Sequence, residues 1–225
     1  MVKRRVFLNP WLTSVLAVAF VGAFLLAGAL SKPVQASEFS DGAKKFIEAM
    51  TQDAITMLTG ELTREERAER FRTLMNKNFS IPGIAKFVVG RHLRKASDDE
   101  KTKYMQLYED LMVATYAERF AKYSGEKLLV KKADVRGKKD VIVYTTMVKA
   151  DNAAKPLKVD WRVREKGNGY TIIDVMVEGI SMIMTQKSEF SSYIKSSGGE
   201  FKNLLGELEK RVKENKSKTD ETASK

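Results

Sequence analysis

The sequence predicts an α+β domain in which a four-stranded antiparallel sheet is wrapped by about six helices. Three observations predict this fold. The apolar residues recur with a helical period of about 3.6 from residue 42 to about residue 123. The period then changes to 2 over four segments between residues 126 and 179. It returns to helical spacing over residues 182–213, so strands and helices are segregated along the chain as α+β domains require.

The helical first half begins with an apolar stripe over residues 42–59. Thr63 with Glu66, and Ser97 with Glu100, have the spacing of capping boxes, and each predicts the start of a helix. Pro82 suits the first turn of a short helix between these two. The helix that follows the second box is predicted to be the longest, reaching about residue 123.

The strands are predicted over 126–137, 139–150, 155–167 and 169–179, joined by short turns in the order of a meander. Gly167 and Asn168 suit a tight hairpin turn, because both residue types tolerate positive φ. Two helices are expected to close the domain over 182–194 and 200–213. We predict a single domain over 37–213 and a disordered polar tail over 214–225.

The first 36 residues have the organisation of an export signal. A positive segment, Lys3–Arg5, precedes an apolar stretch from Trp11 to Leu30, and Val34–Ala36 has the small residues of a cleavage site. The segment therefore predicts export to a periplasm and a mature chain that begins near Ser37. The Arg pair followed by Val-Phe-Leu also fits a twin-arginine signal, beside ordinary Sec export. An uncleaved membrane anchor is the alternative, because 20 apolar residues can span a bilayer.

The chain has no Cys and a net charge of +11. The absence of Cys excludes disulfides and a lipid anchor on a Cys. The leader contributes four positive and no negative charges, so the net charge of the mature chain is 11 − 4 = +7. The Lys and Arg residues lie among acidic ones, which argues against nucleic acid. Anionic lipid headgroups, an acidic partner or simply a soluble surface remain the alternatives.

The strands differ in how many faces are apolar. In the third strand Leu157 and Trp161 face one way, and Lys158 and Arg162 face the other. The second and fourth strands are apolar on both faces. Either two small cores cover the sheet, or one apolar face lines a pocket. The Met residues that follow the fourth strand suit an adaptable apolar site, and equally suit gap-filling in a core.

The sequence predicts neither an enzyme nor a bound cofactor. Its single His, His92, lies among Arg residues and has no Cys or second His with which to bind a metal. Asp174 and Glu178 are four strand residues apart, roughly 13 Å, which is too far for a glycosidase pair. Gly179–Ile183 has only half of a nucleophile elbow, and no phosphate-binding loop is present.

Two segments carry a resemblance to a known family. They are "NFSIPGIAKFVVGRHLRKASDDEKTKYMQLYEDLMVATYAERFAKY", residues 78–123, and "DVMVEGISMIMTQKSEFSSYI", residues 174–194. With these motifs the chain resembles the MlaC or toluene-tolerance family of periplasmic phospholipid-binding proteins. It departs from the family pattern where His92-Leu93 stands in place of a nearby Trp, and where Lys187 replaces the more usual Arg.

The resemblance implies an α+β domain with a deep apolar cavity between the helices and the sheet. It also implies transfer of phospholipid between an outer-membrane lipoprotein–porin complex and an inner-membrane ABC transporter complex. One branch of the family is associated with hopanoids, so a hopanoid or another apolar lipid is an alternative cargo. A non-lipid interaction module of the envelope, with its apolar faces filled as core, is the second alternative.

The expected lining of the lipid cavity combines the apolar faces of the strands with apolar positions of the helices. From the sheet it comprises Val143, Thr145, Met147, Val159, Trp161, Ile173 and Val175. From the helices it comprises Ile84, Phe87, Val88, Leu107, Leu111, Tyr116, Met182 and Met184. Asp174, Glu178 and Lys187 are expected to be structural, as hydrogen-bonding or capping partners.

Overall fold

The computed structural model describes residues 32–149 and 155–223. Residues 39–225 form one compact unit, and residues 1–38 form a separate unit. Most of the predicted export signal, residues 1–31, lies outside the described residues. No helix of the described ranges is both long and apolar enough to cross a membrane.

The described chain contains six α-helices, two 3₁₀ segments and five strands. The helices are α1 (Lys32–Leu58), α2 (Arg64–Asn78), α3 (Ile81–Val89), α4 (Asp98–Tyr116), α5 (Met182–Ser196) and α6 (Phe201–Ala223). The 3₁₀ segments are Gly90–Lys95 and Ala117–Lys122. The strands are β1 (Lys127–Arg136), β2 (Asp140–Val148), β3 (Leu157–Lys166), β4 (Gly169–Val177) and β5 (Ile180–Ser181).

The strands form one sheet in the order β1-β2-β3-β4-β5, with every neighbouring pair antiparallel. The predicted α+β class and the meander are therefore confirmed, with a fifth short strand in addition to the four predicted. Glu178 and Gly179 have φ values of 49° and 81°. Positive φ at both central positions defines a tight hairpin turn, which brings Ile180 back beside Val177 as the start of β5.

Both predicted capping boxes are present. The Thr63 hydroxyl accepts from the Glu66 amide at 3.1 Å, and the Glu66 carboxylate accepts from the Thr63 amide at 2.8 Å. Ser97 and Glu100 make the same pair of bonds at 3.2 and 2.8 Å. These bonds satisfy amide groups that a helix start leaves without partners, so they fix where α2 and α4 begin.

The last helix is longer than predicted. Helix α6 continues to Ala223, whereas we expected a disordered tail from residue 214. The Asn215 side-chain amide donates to the Thr115 hydroxyl at 3.0 Å, and Lys210 pairs with Glu214 one helical turn on. These polar contacts extend the helix beyond its last apolar contacts, which a search for apolar periodicity does not detect.

One face of the sheet, here called the dry face, packs against α1. Residues Ala43, Ile47 and Met50 of α1 form a buried cluster with side chains from three strands. The strand members are Val141, Val143, Val163 and Ile172. The periodicity that predicted α1 therefore reflects a helix-on-sheet contact, and burial of these side chains stabilises the sheet.

A second cluster belongs to the helices. Its described members come from α2–α6 and the segments that join them, with Tyr104, Tyr108 and Phe190 among the most buried. Phe79, between α2 and α3, packs against both clusters and forms a parallel bridge to Ile172 of β4. The helical core and the sheet core are thus separate and meet at Phe79.

The opposite face of the sheet, here called the wet face, is covered by long charged side chains. The Lys132 ammonium lies 4.6 Å from the centre of the Tyr144 ring, and Arg136 donates to the Tyr144 hydroxyl at 3.2 Å. The Asp140 carboxylate accepts from Arg162 at 2.7 Å, and also from Arg164. The alkyl stems of these residues shield the apolar wet-face residues of β2, so no second core is needed there.

Asp140→Asn is expected to destabilise the fold at neutral pH but not at pH 2. Hydrogen bonds and charge from Arg164 and Arg162 lower the pKa of Asp140, against the opposing effect of burial. A lowered pKa means that the stabilisation is full above the ordinary value near 4 and is lost as pH falls through the folded value. Since both guanidinium groups are half exposed, the loss at pH 7 should be about 1 kcal/mol.

Urea unfolding of both proteins at pH 7 and pH 2 measures this difference. The exposed Glu165→Gln on β3 is the control, with no change expected at either pH. An Asp140→Asn deficit that stays the same at pH 2 would contradict the charge assignment.

Candidate functional site

The dry face extends beyond the part that packs on α1. The strand register pairs Leu128 with Met147 and Met147 with Leu157. It also pairs Val159 with Val177 and Val177 with Ile180. Since paired residues and alternate residues of a strand share a face, all of these side chains lie on the dry face. We call the set Leu128, Met147, Leu157, Val159, Val177 and Ile180 the open end.

The open end is apolar and reaches solvent. Met147 is 37% exposed, Leu157 is 38% exposed and Ile180 is 63% exposed. Met184, four residues after Ile180 in α5, is 52% exposed. Val159 is buried, yet it belongs to neither the helical nor the α1–sheet cluster. The dry face is therefore a continuous apolar surface that begins in the core and ends uncovered, which is unusual on a protein surface.

The polar atoms beside the open end are satisfied within the sheet. The Trp161 indole N–H donates to the Thr145 hydroxyl at 3.2 Å, and that hydroxyl donates to the Val159 carbonyl oxygen. Both side chains therefore turn their polar groups toward each other. What remains facing outward from this part of the sheet is apolar, so it favours hydrocarbon over water.

The start of α5 is fixed by Asp174. Its carboxyl oxygens accept from the Ser181 hydroxyl at 2.6 Å and from the Ile183 amide at 3.3 Å. The Ser181 hydroxyl in turn accepts from the Met184 amide at 3.2 Å and caps the helix. The structural role expected for Asp174 is confirmed, and the half nucleophile elbow is a helix cap.

Glu178 and Lys187 also have structural partners, as expected. The Glu178 carboxylate accepts from the Lys158 backbone amide at 2.8 Å, which ties the β4–β5 turn to β3. The Lys187 ammonium lies 4.2 Å from the centre of the Phe87 ring, which joins α5 to α3 by a cation–π contact.

The pKa of His92 is lowered by burial and by the positive charges of Arg91 and Lys95, which favours the neutral imidazole.

The residues predicted to line a cavity are not all in one place. The helical core contains Ile84, Val88 and Leu111, with Leu107 packed at its edge. The α1–sheet cluster contains Val143, with Trp161 and Val175 at its edge. The open end and its border contain Thr145, Met147, Val159 and Met184. Packing already accounts for the first group. In the third group Met147 and Met184 are exposed, whereas Thr145 and Val159 are buried.

The remaining four predicted positions lie apart from these groups. Phe87 is exposed beneath Lys187, and Tyr116 lies 5.1 Å from the Arg119 guanidinium. Met182 and Ile173 are half-buried. Lipid contact by any of the predicted residues stays a prediction.

Ile173 was placed on the dry face by alternation, and the register contradicts this placement. Val163 pairs with Ile172, and its neighbour Arg162 pairs with Asp174. Two residues of β3 therefore face three of β4, and Ile173 is the extra residue of a β-bulge. The bulge puts Ile172 on the dry face, where it is fully buried.

Two clefts on the surface of the described residues are compared with the expected cavity. One, of about 470 Å³, lies between α2, α3 and α4, where Arg72 pairs with Glu109 and Asp110 above Ile81 and Met105. The other, of about 660 Å³, is an open groove along β5 and the first turns of α5, with Ile180 and Met184 in its lining. Neither cleft is lined by residues of β1–β4, so the expected cavity between helices and sheet stays a prediction.

Sequence reasoning missed Leu157, Val177 and Ile180 as members of the site. The first two carry the right alternation and could have been included with their neighbours. Ile180 could not, because Gly179 reads as the end of the strand and gives no sign that the chain turns back to pair with Val177.

The coordinates define an α+β domain whose sheet keeps a partly uncovered apolar face beside a helical bundle. A model of the MlaC protein family matches residues 40–210, more than half of the chain. The chain therefore belongs to the MlaC family, and the family prediction is confirmed.

Among solved structures, the chain is similar to a phospholipid-binding protein from Ralstonia solanacearum, determined in complex with a phospholipid. The TM-score is 0.65 at 20% sequence identity, and the match covers 76% of this chain and 97% of that chain. At this identity the likeness shows a shared fold.

Proposed function

We propose that this protein is a periplasmic lipid carrier that binds phospholipid and shuttles it between the outer and inner membranes. The observation that carries the proposal is the dry face, which runs from the α1–sheet core to the exposed open end as one apolar surface. Membership of the MlaC family and the fold shared with a phospholipid-binding protein support the same cargo.

The energetics explain why a carrier needs such a surface. A phospholipid with two 16-carbon tails exposes about 30 methylene groups, and moving them into water costs about 24 kcal/mol at about 0.8 kcal/mol each. A protein surface that offers hydrocarbon contact removes most of this barrier. It must not bind more tightly than a bilayer, because the lipid has to be released. An uncovered surface of Met, Leu, Ile and Val meets both conditions.

The dry face offers the tails a path that needs no polar partner. Thr145 and Trp161 satisfy each other, so neither would lose a hydrogen bond to water when hydrocarbon covers them. Met147 and Met184 flank the path at its exposed end, and their flexible side chains can adjust to different tails. The proposal assigns the protein binding and release, without a catalytic step.

Export by residues 1–36 would place the carrier between the two membranes. The proposed partners are an inner-membrane ABC transporter complex and an outer-membrane lipoprotein–porin complex, which would supply and accept the lipid. A hopanoid would use the same apolar surface. Identification of the bound lipid distinguishes a hopanoid cargo from a phospholipid cargo.

A vesicle transfer assay tests the proposal. Donor vesicles carry a self-quenched fluorescent phosphatidylethanolamine, and acceptor vesicles carry none. We expect a rate of dequenching that rises in proportion to protein concentration. A rate equal to spontaneous exchange at every protein concentration would contradict the lipid-carrier function.

A further inference from the structure

The open end of the dry face is bordered by lysines. Lys127 begins β1, Lys149 follows β2, and Lys155 and Lys158 lie on either side of Leu157. All four are exposed. Three carboxylates near these lysines accept hydrogen bonds from other groups: Glu126 from Ser124, Asp160 from the Thr145 amide and Glu178 from the Lys158 backbone amide. The hydrogen bond from the Ser124 amide lowers the pKa of Glu126, and the charge of Lys149 helps to lower it.

The exposed apolar residues of this region come from four elements. Met147 and Leu157 lie at the ends of β2 and β3, Ile180 lies in β5, and Met184 lies in α5. These four residues lie where the dry face reaches solvent. We call them, together with the four bordering lysines, the rim. The rim is the part of the described chain where large exposed aliphatic side chains and several lysines occur together.

The residue types of the rim favour a lipid surface over a protein partner. Protein interfaces are enriched in aromatic residues, Met and Arg and depleted in Lys. Met147 and Met184 therefore fit either kind of partner, whereas Leu157 and Ile180 are aliphatic and the cations of the rim are all Lys. Aliphatic side chains that enter the boundary between headgroups and tails, with Lys at the level of the phosphates, are typical of proteins that bind a membrane surface.

We propose that the rim docks on an anionic lipid bilayer. Leu157, Ile180 and Met184 enter the headgroup layer, and Lys155 and Lys158 contact lipid phosphates. This inference rests on the proposed function, because docking there would set the dry face directly against the membrane. A lipid could then pass between bilayer and protein without exposing its tails to water.

Vesicle flotation tests the docking, with protein purified from the soluble periplasmic fraction of an expressing cell. Vesicles contain either phosphatidylcholine alone or phosphatidylcholine with phosphatidylglycerol. We expect the protein to float with the anionic vesicles. Lys155→Glu with Lys158→Glu should lower the bound fraction about tenfold on anionic vesicles. Ile180→Asp with Met184→Asp should lower it by a similar factor.

Matched controls separate the rim from overall charge and exposure. Lys138→Glu with Lys166→Glu makes the same charge change at the opposite end of the sheet. Leu129→Asp changes a residue that is 39% exposed on the wet face. Both controls should keep full binding. Equal losses in the controls and in the rim variants would overturn the docking surface.

The lipid bound by each protein is measured on the same samples by mass spectrometry. Protein that contains lipid but does not float with either vesicle type overturns the docking and leaves the proposed function standing. Protein that neither contains lipid nor floats contradicts the proposed function itself. Rim variants that float normally but lose a dimer present in the parent protein would overturn the docking in favour of an interface between copies.

Discussion

Asp174→Ala is expected to lower the free energy of unfolding by about 3 kcal/mol. The Asp174 side chain is buried and accepts from both the Ser181 hydroxyl and the Ile183 amide. Alanine would leave both donors without this partner at the point where β4, β5 and α5 meet. For a domain of this size the melting temperature should fall by roughly 9 °C.

A double-mutant cycle with Ser181→Ala tests the mechanism. Because Ser181 depends on Asp174 for its orientation, the double variant should lose clearly less than the sum of the two single variants. Asp98→Ala, which removes an exposed ion pair with Lys101 at the start of α4, should lower the free energy of unfolding far less than Asp174→Ala does. Additive losses at Asp174 and Ser181 would contradict a shared network at the start of α5.

Val175→Arg is expected to lower lipid binding at least tenfold, or about 1.4 kcal/mol or more. Val175 lies on the dry face opposite Trp161, at the border between the α1–sheet cluster and the open end. The described dry-face neighbours of a guanidinium group there, Trp161, Ile172 and Val177, carry no acidic group. Hydrocarbon that covered it would strip its water, and an unpaired charge in an apolar site is strongly disfavoured.

Met176→Arg is the matched control, because Met176 is also half-buried but points to the other face. There it lies opposite Asp160, which offers a carboxylate to the new charge. Lipid binding is measured by uptake of radiolabelled phospholipid from vesicles, and thermal unfolding of each variant checks that it is folded. A folded Val175→Arg protein with normal uptake would exclude the dry face as the lipid path.

The elements that the sequence predicted correctly are those with a local cause. The two capping boxes define helix starts through bonds between residues three apart. Four consecutive residues were therefore sufficient to predict each helix start. The Gly167-Asn168 turn joins β3 to β4 as expected, and of these two residues only Gly167 adopts positive φ, at 59°. The meander followed from short turns between segments of period 2.

The candidate site was harder to predict, because it depends on register and on distant contacts. The bulge at Ile173 reverses the alternation in the middle of β4, and no residue type there announces it. Where α1 stops covering the sheet decides which dry-face residues are core and which reach solvent. That boundary depends on the packing of Ile47 and Met50 on β2–β4, which the pattern of either element alone does not contain.

Strand β2 has apolar residues on both faces, and the sequence suggested either a second core or a pocket as the reason. The structure shows a different reason. None of the described wet-face side chains of β2 belongs to a buried cluster. Long side chains such as Lys132 and Arg136 lie across Tyr144 and carry their charges to solvent. A strand that is apolar on both sides can therefore have one face for packing and one shielded by its charged neighbours.

The most direct test of the lipid-carrier function is native mass spectrometry with lipid extraction. The protein is purified without detergent from the cells that express it, so that any lipid present was acquired in the cell. We expect a stoichiometric phospholipid on the protein, and the extract identifies its headgroup. Protein that is empty, and that stays empty after incubation with liposomes, would contradict the lipid-carrier function.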